Sequence, residues 1–348
     1  MSLINIDADN INDAFRIGLI YFRQFLADGS LHKTGGRGQT RLEYPFPMAT
    51  TYRYPRQRVL FDPVRDANPF FHLMESLWII EGREDVEWLK QWLPSIANYS
   101  DDGHVFHGAY GARIHRGGQL ERVIHRLQQE PDGNRAVLSI YDGPDRDASY
   151  TGKDMPCNCT VFLSRRNEKL NITVCNRSND LIWGTYGANV VQFSMLQEYI
   201  AARVGLSMGW YVQFSNNTHI YPENGATQRV LDASSVVIDP YHSVEQMVAF
   251  AGQGWGMQMK SSPLVVSPAR WYSDLRRFMF GDTSPALYTE PFFHGVALPM
   301  QAAHHEYRIG ELENAIAIAW SISAMDWRFA CARWLERRLA ARKAKEPA

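Results

Sequence analysis

The sequence predicts an α+β fold: a large mixed β-sheet covered by helices, followed by a helical C-terminal extension. Strand-like segments are mixed with helical ones, whereas an all-parallel sheet would show a regular βαβ order. Beyond about residue 240 the strand signals stop, and the chain becomes rich in Met and Trp and then helical. A chain of 348 residues suits one large domain with an added segment. We therefore expect a main domain over residues 1–240 and a mostly helical extension over 241–348 packed on it.

One predicted helix is marked at both ends. Asn68 is a preferred N-cap, Pro69 suits the first helical position, and Gly82 can end the helix. Apolar residues fill most of the surface between them, which predicts a buried helix. Glu75 lies inside this apolar run, so we expect its carboxylate to be either partnered or functional.

Hydrophobic periodicity predicts the other elements. Helices are expected at 11–28, 191–204 and roughly 310–340. Strands are expected at 136–141, 159–165, 170–175 and 210–214, and the middle two are expected to form a hairpin. The Gly- and Arg-rich segment 31–42 is predicted to be a loop.

Charge and composition exclude several classes of protein. The net charge is −1 and 45% of the residues are hydrophobic, as in a globular protein with a substantial core. Lys and Arg are dispersed, so we expect no nucleic-acid polymer as partner, whereas a small anionic substrate needs only a few arginines. We also expect no membrane-spanning helix and no signal peptide. The four cysteines do not form a disulfide framework, so the expected location is the cytoplasm.

The chemically informative block lies between residues 154 and 221 and contains DMPCNCTVFL, NRSNDLIWGTYGAN and NNTHIY. It places Pro-Cys before a strand, Arg-Ser-x-Asp after the next strand, then Gly followed by Asn, and finally His-x-Tyr. This order resembles the thymidylate synthase family, which includes the pyrimidine nucleotide hydroxymethylases. Arg177 follows Cys157 by 20 residues, as in that family. With two positions upstream, the resemblance covers roughly residues 35–224.

Covalent catalysis explains why such an enzyme needs a cysteine beside an arginine. The C5 of a pyrimidine ring is a poor nucleophile, and addition of a thiolate at C6 activates C5 for attack on a one-carbon unit. A nearby guanidinium lowers the pKa of a thiol, so Cys157 is the predicted nucleophile, with Arg177 as its activator and as a phosphate ligand. Cysteine is more commonly a buried core residue. Cys159 is a rival, because residues two apart in a strand face the same side. A Cys-x-Cys metal site is a weaker alternative, since no His or Cys partners have ligand spacing.

The resemblance implies roles for three further residues in the chemistry of the ring. Glu75 corresponds to the glutamate that relays protons to O4, and burial would raise its pKa toward the working range. Tyr110 corresponds to the tyrosine that helps to remove the C5 proton. Asn189 corresponds to the asparagine that reads the pyrimidine edge, and its amide matches uracil rather than cytosine. The stretch from Gly184 to Asn189 is one residue longer than is usual in the family.

Other residues are implied as ligands of the two substrates, a pyrimidine nucleoside monophosphate and a folate. The implied phosphate and sugar ligands are Arg37, Arg135, Arg177, Ser178, His219 and Tyr221, with Arg41 as the alternative to Arg37. Asp180 resembles the aspartate that contacts the folate pterin. In this family the second set of phosphate arginines comes from the partner subunit, which implies a homodimer.

Four departures from the family pattern bear on the product. Asn158 stands at the substrate site where the family usually has histidine, and Asn134 replaces one of two adjacent phosphate arginines. Ile96 takes the place of the tryptophan that, in thymidylate synthases, walls off the folate side. The chain also continues far beyond Tyr221, whereas thymidylate synthases end sooner, with an apolar terminus that closes over the folate.

Loss of the indole wall and of the closing terminus favours entry of water, which gives a hydroxymethyl product instead of a methyl group. We therefore expect a dUMP hydroxymethylase that uses 5,10-methylenetetrahydrofolate and a covalent adduct between Cys157 and C6. The alternatives within the family are a thymidylate synthase that makes dTMP and a hydroxymethylase of dCMP or CMP. An alternative of another class is a non-catalytic nucleotide-binding protein that has kept the fold.

Overall fold

The computed structural model describes residues 3–36, 39–146, 149–233 and 237–345. These residues form two β-sheets and a set of helices, and the described part beyond residue 240 is helical. The predicted α+β class is therefore confirmed. In the described part of the chain, no helix is both long enough and apolar enough to cross a membrane.

The larger sheet has six strands of mixed direction. They are β1 (Ile4–Ala8), β4 (Met48–Tyr52), β5 (Val137–Ser139), β6 (Asn158–Arg166), β7 (Lys169–Asn176) and β9 (Ser207–Ser215). Their order is β1-β4-β9-β7-β6-β5; the pairs β1–β4 and β7–β9 are parallel, and the other neighbours are antiparallel. The four predicted strands are confirmed as β5, β6, β7 and β9. The turn of the predicted β6–β7 hairpin has positive φ at both Asn167 and Glu168, as a two-residue hairpin turn of the favoured hand requires.

A second sheet of four short strands was not predicted. It contains β2 (His32–Gly36), β3 (Gln39–Glu43), β8 (Asn179–Asp180) and β10 (Thr218–Ile220), in the order β2-β3-β10-β8. The loop predicted over 31–42 is wrong, because β2 and β3 form an antiparallel hairpin and β3 also pairs with β10. Pairing with distant strands outweighs the weak β propensity of glycine. The same sheet sets Asp180 opposite His219 in adjacent parallel strands.

The helices in the described residues pack on the larger sheet and build the C-terminal part. They are α1 (Ile11–Ala27), α2 (Pro69–Glu81), α3 (Val86–Lys90), α4 (Tyr110–His115), α5 (Gln119–Gln129), α6 (Asn189–Val204), α7 (Gly225–Asp232), α8 (Val244–Ala251), α9 (Pro268–Met279), α10 (Leu298–Ile309), α11 (Leu312–Trp320) and α12 (Met325–Lys343). The helices predicted at 11–28 and 191–204 are confirmed as α1 and α6.

The single helix expected over roughly 310–340 is wrong, because α11 and α12 are separated by a short break. The Ser321 hydroxyl donates to the carbonyl of Ile318 (2.7 Å), so the side chain competes for a helical acceptor. The backbone N–H of Ser323 donates to the carbonyl of Gly295 (2.8 Å), outside both helices. These bonds turn the chain and allow α12 to pack back on α11.

The buried helix α2 lies at the centre of the helical layer. As predicted, the Asn68 side chain accepts a hydrogen bond from the N–H of Phe71 (3.1 Å), and Gly82 ends the helix with a φ of +81°. α2 packs against α6 and also against α9, α10 and α12 of the C-terminal part. Since α6 is itself buried along most of its length, polar side chains between α2 and α6 are shielded from water.

Aromatic contacts join the C-terminal helices to the rest of the molecule. Trp334 meets Phe70 edge-on, with ring centroids 5.7 Å apart, and Phe278 meets Trp88 at 5.8 Å. The division proposed at residue 240 falls between α7 and α8. We keep it as a proposal about how the chain is organised.

Candidate active site

Cys157 lies immediately before β6, and the backbone on both sides of it is tied to Arg177. The N–H of Arg177 donates to the carbonyl of Cys157 (3.0 Å), while its side chain donates to the carbonyls of Pro156 and Met155 (both 2.9 Å). These bonds hold the Arg177 Nη2 atom 4.0 Å from the Cys157 sulfur. Both side chains are half-buried. A fixed positive charge beside a partly exposed thiol is the environment that favours the thiolate.

Cys159 occupies a different environment, because β6 contains a bulge next to it. Asn158 pairs with Asn176 but Thr160 pairs with Cys175, so Cys159 is the extra residue of the bulge. The bulge interrupts the alternation that would have set the thiols of Cys157 and Cys159 on one side of a regular strand. Burial raises the pKa of the Cys159 thiol, in spite of the nearby charge of Arg177. These differences favour Cys157 as the nucleophile.

Glu75 projects from α2 toward α6, where its carboxylate accepts a hydrogen bond from the amide of Gln192 (2.6 Å). Burial raises its pKa to about 7, which suits a group that exchanges protons at neutral pH. Gln192 was not predicted as a site residue. The signal that identified Glu75 was available for it as well, because Gln192 is a polar side chain in the apolar run VVQFSML.

Tyr110 lies close enough to both Glu75 and Cys157 for their charges to act on its hydroxyl. Its hydroxyl is hydrogen-bonded to the Asn158 side chain, and its pKa is raised strongly by burial and then by the neighbouring Cys157 and Glu75. Tyr110 begins α4, which approaches α2 closely because Gly111 has no side chain. A Cβ atom there would lie 2.6 Å from the carbonyl oxygen of Ile79. The structure therefore brings three predicted catalytic residues together from separate parts of the chain.

A chain of buried amides runs behind these residues. Asn176 donates to the Asn158 side chain, and the Asn158 amide lies 3.5 Å from the Asn189 Oδ1 atom. The Asn189 amide in turn donates to the Asn179 Oδ1 atom (3.1 Å). Asn189 is thus held at both ends of its amide. Asn176 and Asn179 are site residues that the sequence analysis missed, although they flank the predicted Arg177 and Ser178.

The extra residue between Gly184 and Asn189 is accommodated by a π-helix. The segment Leu181–Ala188 is π-helical, with a kink at Tyr186 and Gly187, and it leads directly into α6. A π-turn holds one more residue than an α-turn, so Asn189 still reaches Asn158 and Asn179. Gly184 is needed in this turn, because a Cβ atom there would lie 2.2 Å from the Asn179 Oδ1 atom.

Ser178, His219 and Tyr221 meet beside Arg177. The His219 Nδ1 atom lies 3.0 Å from the Asn217 side-chain oxygen and 3.3 Å from the Ser178 hydroxyl. The ring of Tyr221 stands perpendicular to that of His219 at a centroid distance of 5.1 Å. Burial, followed by the charge of Arg41, lowers the pKa of His219 to about 4, so the imidazole is neutral at pH 7. A neutral imidazole beside hydroxyl groups suits recognition of a sugar hydroxyl.

Asp180 begins the π-helix and faces a buried cation. Its carboxylate accepts from the N–H groups of Ile182 (2.7 Å) and Trp183 (3.0 Å), as an N-cap does. Arg65, which was not predicted, is only 4% exposed and donates to the carbonyl of Ile182 (2.8 Å). Burial raises the pKa of Asp180, and the charge of Arg65 acts in the opposite direction.

Two predicted ligands, Arg135 and Ile96, lie away from this cluster, and a third, Arg37, falls on residues that the structure does not describe. Arg135 is exposed at the edge of the larger sheet, where it pairs with Glu130 (2.7 Å). Ile96 is buried in the core, in a 3₁₀ turn over Pro94–Tyr99. Arg37 lies outside the described residues, while its alternative Arg41 pairs with Glu43 (3.2 Å) and acts on His219.

Two surface clefts lie elsewhere. One runs along α9 past Arg276 and Phe280, and the other lies near Tyr54 and Trp210. The described residues that line these clefts include no cysteine and none of the predicted catalytic residues. The candidate site is therefore the cluster around Cys157 and not either cleft. No group of three His, Cys, Asp or Glu side chains in the described part of the chain could hold a metal ion.

Comparison with known proteins shows the family of the chain. The family model described as thymidylate synthase matches residues 41–238. A deoxyuridylate hydroxymethyltransferase of Pseudomonas phage M6 is 40% identical over 311 residues, which cover 87% of this chain and 87% of that protein. Proteins of the same name from Bacillus phage SP01 and Delftia phage PhiW-14 are 35% and 34% identical, over 55% and 48% of this chain and 53% and 50% of their own lengths.

Proposed function

Because the chain belongs to the thymidylate synthase family, we propose that it is a deoxyuridylate hydroxymethyltransferase. The reaction would convert dUMP, 5,10-methylenetetrahydrofolate and water into 5-hydroxymethyl-dUMP and tetrahydrofolate. The observation that carries the proposal is the cluster of Cys157, Arg177, Tyr110 and Glu75, in a chain similar along most of its length to a deoxyuridylate hydroxymethyltransferase.

Activation of the uracil ring rests on Cys157 and Glu75. The sulfur of Cys157 forms a bond to C6, and the electron pair of the C5–C6 double bond moves toward O4. Arg177 favours the thiolate needed for this addition. Glu75, with a pKa near neutrality, supplies a proton toward O4 and so stabilises the developing charge.

Tyr110 and Asn189 orient the ring and its C5 proton. Because its pKa is raised, the Tyr110 hydroxyl stays protonated at neutral pH and works through hydrogen bonds, orienting the water that takes the C5 proton. The Asn189 amide can donate to O4 and accept from N3–H, which is the pattern of uracil. C5 of the Cys157 adduct bonds to the one-carbon unit of the folate, and loss of the C5 proton with departure of tetrahydrofolate leaves an exocyclic methylene. Water adds to that methylene, and the enolate so formed expels the Cys157 sulfur from C6, which releases 5-hydroxymethyl-dUMP and restores the thiolate.

Asp180 and the residues near it at the start of the π-helix fit a folate. A carboxylate matches the N–H groups of a pterin, and the indole of Trp183, which is 41% exposed, offers a flat surface for stacking. The Nη2 atom of Arg65 is buried and has no hydrogen-bond partner among the described residues. Such a co-substrate would supply the one-carbon unit. We propose 5,10-methylenetetrahydrofolate as the donor.

We also propose that the protein acts as a homodimer. The face of the larger sheet away from the helices carries half-exposed apolar side chains, among them Phe162 (47% exposed) and Trp210 (40% exposed). A second copy that covers this face would bury an apolar surface that a monomer leaves in water. Arg135 is exposed just before the edge strand β5, where it pairs with Glu130 at the surface, and we propose that in the dimer it contributes to the phosphate site of the partner subunit.

Product analysis in isotopic water tests the proposed reaction. The protein is incubated with dUMP and 5,10-methylenetetrahydrofolate in H₂¹⁸O, and the nucleotide is examined by mass spectrometry while dihydrofolate is followed by absorbance. We expect 5-hydroxymethyl-dUMP that carries ¹⁸O, and no dihydrofolate. Formation of dTMP with dihydrofolate would show a thymidylate synthase, reaction of dCMP alone would show the other hydroxymethylase, and no turnover would favour a binding protein.

A further inference from the structure

Two arginines of the last helix converge on one carboxylate outside the nucleotide site. Asp66, in the loop before α2, accepts hydrogen bonds from Arg337 (3.0 and 2.8 Å) and from Arg338 (2.8 and 2.7 Å). Burial would raise the pKa of Asp66, but the hydrogen bonds and charges of Arg338 and Arg337 hold it below its usual value. We call Asp66, Arg337 and Arg338 the Asp66 cluster. Its four charge-assisted bonds tie α12 to this loop.

The backbone at the Asp66 cluster has an unusual conformation. Asp66 has a φ of +52°, in the left-handed region that non-glycine residues seldom adopt. Such a conformation persists only when its surroundings over-determine it. Here α12 supplies them: Arg338 stacks on Trp334 at 3.5 Å, and Trp334 packs against Phe70 at the start of α2.

Arg65, the residue next to Asp66, contacts the π-helix Leu181–Ala188. Arg65 is almost wholly buried, donates from Nε to the carbonyl of Ile182 in the π-helix (2.8 Å), and lies 5.7 Å from the centre of the Trp183 ring. Burial lowers the pKa of Arg65, although the charges of Asp180 and Asp66 act in the opposite direction. The Arg65 guanidinium thus contacts the π-helix whose first N–H groups Asp180 caps.

We propose that α12 is a positioning element for folate binding. The Asp66 cluster fixes Arg65, and Arg65 fixes the start of the π-helix, where Asp180 and Trp183 lie. This inference rests on the proposed function in one respect, since Asp180 is taken to face the reduced pteridine co-substrate. It gives the C-terminal part a role beyond covering the core. It also predicts a larger effect on folate binding than on nucleotide binding, because Arg65 bonds to Ile182 at the start of the π-helix, whereas Asn189 follows its last residue and is held separately by Asn158 and Asn179.

The test replaces Arg337 and Arg338 together by Gln. We expect the KM for 5,10-methylenetetrahydrofolate to rise by about tenfold, with the KM for dUMP unchanged within about twofold. The matched control is Arg333→Gln on the same helix, since Arg333 pairs with Glu336 (2.7 Å) and does not contact Asp66. If the double variant does not fold, Asp66→Asn is used, because Asn tolerates the left-handed conformation but binds the arginines less strongly.

A second measurement separates this inference from the proposed function. Calorimetric binding of tetrahydrofolate to the dUMP-loaded protein compares the same variants without turnover. Weaker folate binding in the double variant but not in Arg333→Gln would support the inference. It is overturned if folate affinity is unchanged, or if dUMP and folate affinities fall together. Failure of the wild type to form product, with folate binding intact, would instead count against the proposed function alone.

Discussion

Glu75 shows how one half-buried residue couples folding to chemistry. Its carboxylate accepts a hydrogen bond from the amide of Gln192 and has a pKa of about 7, well above the usual value of 4.5. The folded protein therefore retains a proton that the unfolded chain releases, so ionisation of Glu75 lowers stability as pH rises from about 4.5 through about 7. The same rise in pKa lets the Glu75 carboxyl exchange protons near neutral pH, where the enzyme would work.

Replacement of Glu75 by Gln is expected to separate these two effects. We expect kcat to fall by about 10²- to 10⁴-fold, because an amide cannot relay a proton. The variant should be more stable than the wild type at pH 8 by about 2 kcal/mol, with allowance for partial exposure, and the difference should vanish below pH 4.5. Urea unfolding across this pH range measures the second effect. A variant that is less stable at pH 8 would contradict the assigned pKa.

Asn189 is the residue on which selection of uracil depends in this account. Its amide is fixed between the Asn158 amide and the Asn179 side-chain oxygen. Asn189→Asp replaces the donor toward O4 with an acceptor that matches the 4-amino group of cytosine. We expect the ratio of kcat/KM for dCMP over dUMP to rise by about 10- to 100-fold, measured by competition between the two nucleotides. An unchanged ratio would mean that another group reads the ring.

The π-helix before α6 is the element that adapts the family pattern to this chain. It absorbs one additional residue and still delivers Asn189 to the amide chain. The sequence indicated the longer spacing, but it did not predict a π-helix, because the choice depends on contacts with Asn179 and Arg65 from distant segments. By contrast, the ends of α2 were predictable, since Asn68 and Gly82 act on their own helix.

Gly184→Ala tests the close approach inside the π-helix. The new Cβ atom would meet the Asn179 Oδ1 atom, so we expect a loss of about 1–3 kcal/mol in the free energy of unfolding and a higher KM for dUMP. Gly256→Ala is the control, because no heavy atom lies within 4 Å of a Cβ atom there. Urea unfolding and steady-state kinetics of the two variants make the comparison. Equal behaviour would show that the amide chain is not tightly constrained.

Across the whole molecule, the candidate catalytic residues could be predicted from the sequence more fully than the order and pairing of the strands. Cys157, Arg177 and Glu75 could be identified because their chemical types and spacing are unusual, and the structure places them in one region. The four-stranded sheet could not be foreseen, because β3 depends on pairing with β10, which lies far away in the sequence. Arg65 was equally hidden, since its importance follows from burial against the π-helix rather than from any motif.

Subunit complementation tests the proposed dimer. We expect Cys157→Ser and Arg135→Ala homodimers each to lose most of their activity, the second because the phosphate loses a partner-supplied cation. When the two variants exchange subunits, each mixed dimer has one site with an intact cysteine and an intact partner arginine. Random mixing should therefore restore about a quarter of the wild-type activity. No recovery after verified exchange would contradict a shared site.

The central claim is that the Cys157 sulfur forms a covalent bond to the nucleotide ring. It is tested most directly by intact-protein mass spectrometry after incubation with 5-fluoro-dUMP and 5,10-methylenetetrahydrofolate, since fluorine at C5 blocks the later proton loss. We predict an added mass of nucleotide plus folate in the wild type and in Cys159→Ser, located on the Cys157 peptide, and none in folded Cys157→Ser. An adduct that persists in Cys157→Ser, or its absence from the wild type, would contradict the claim.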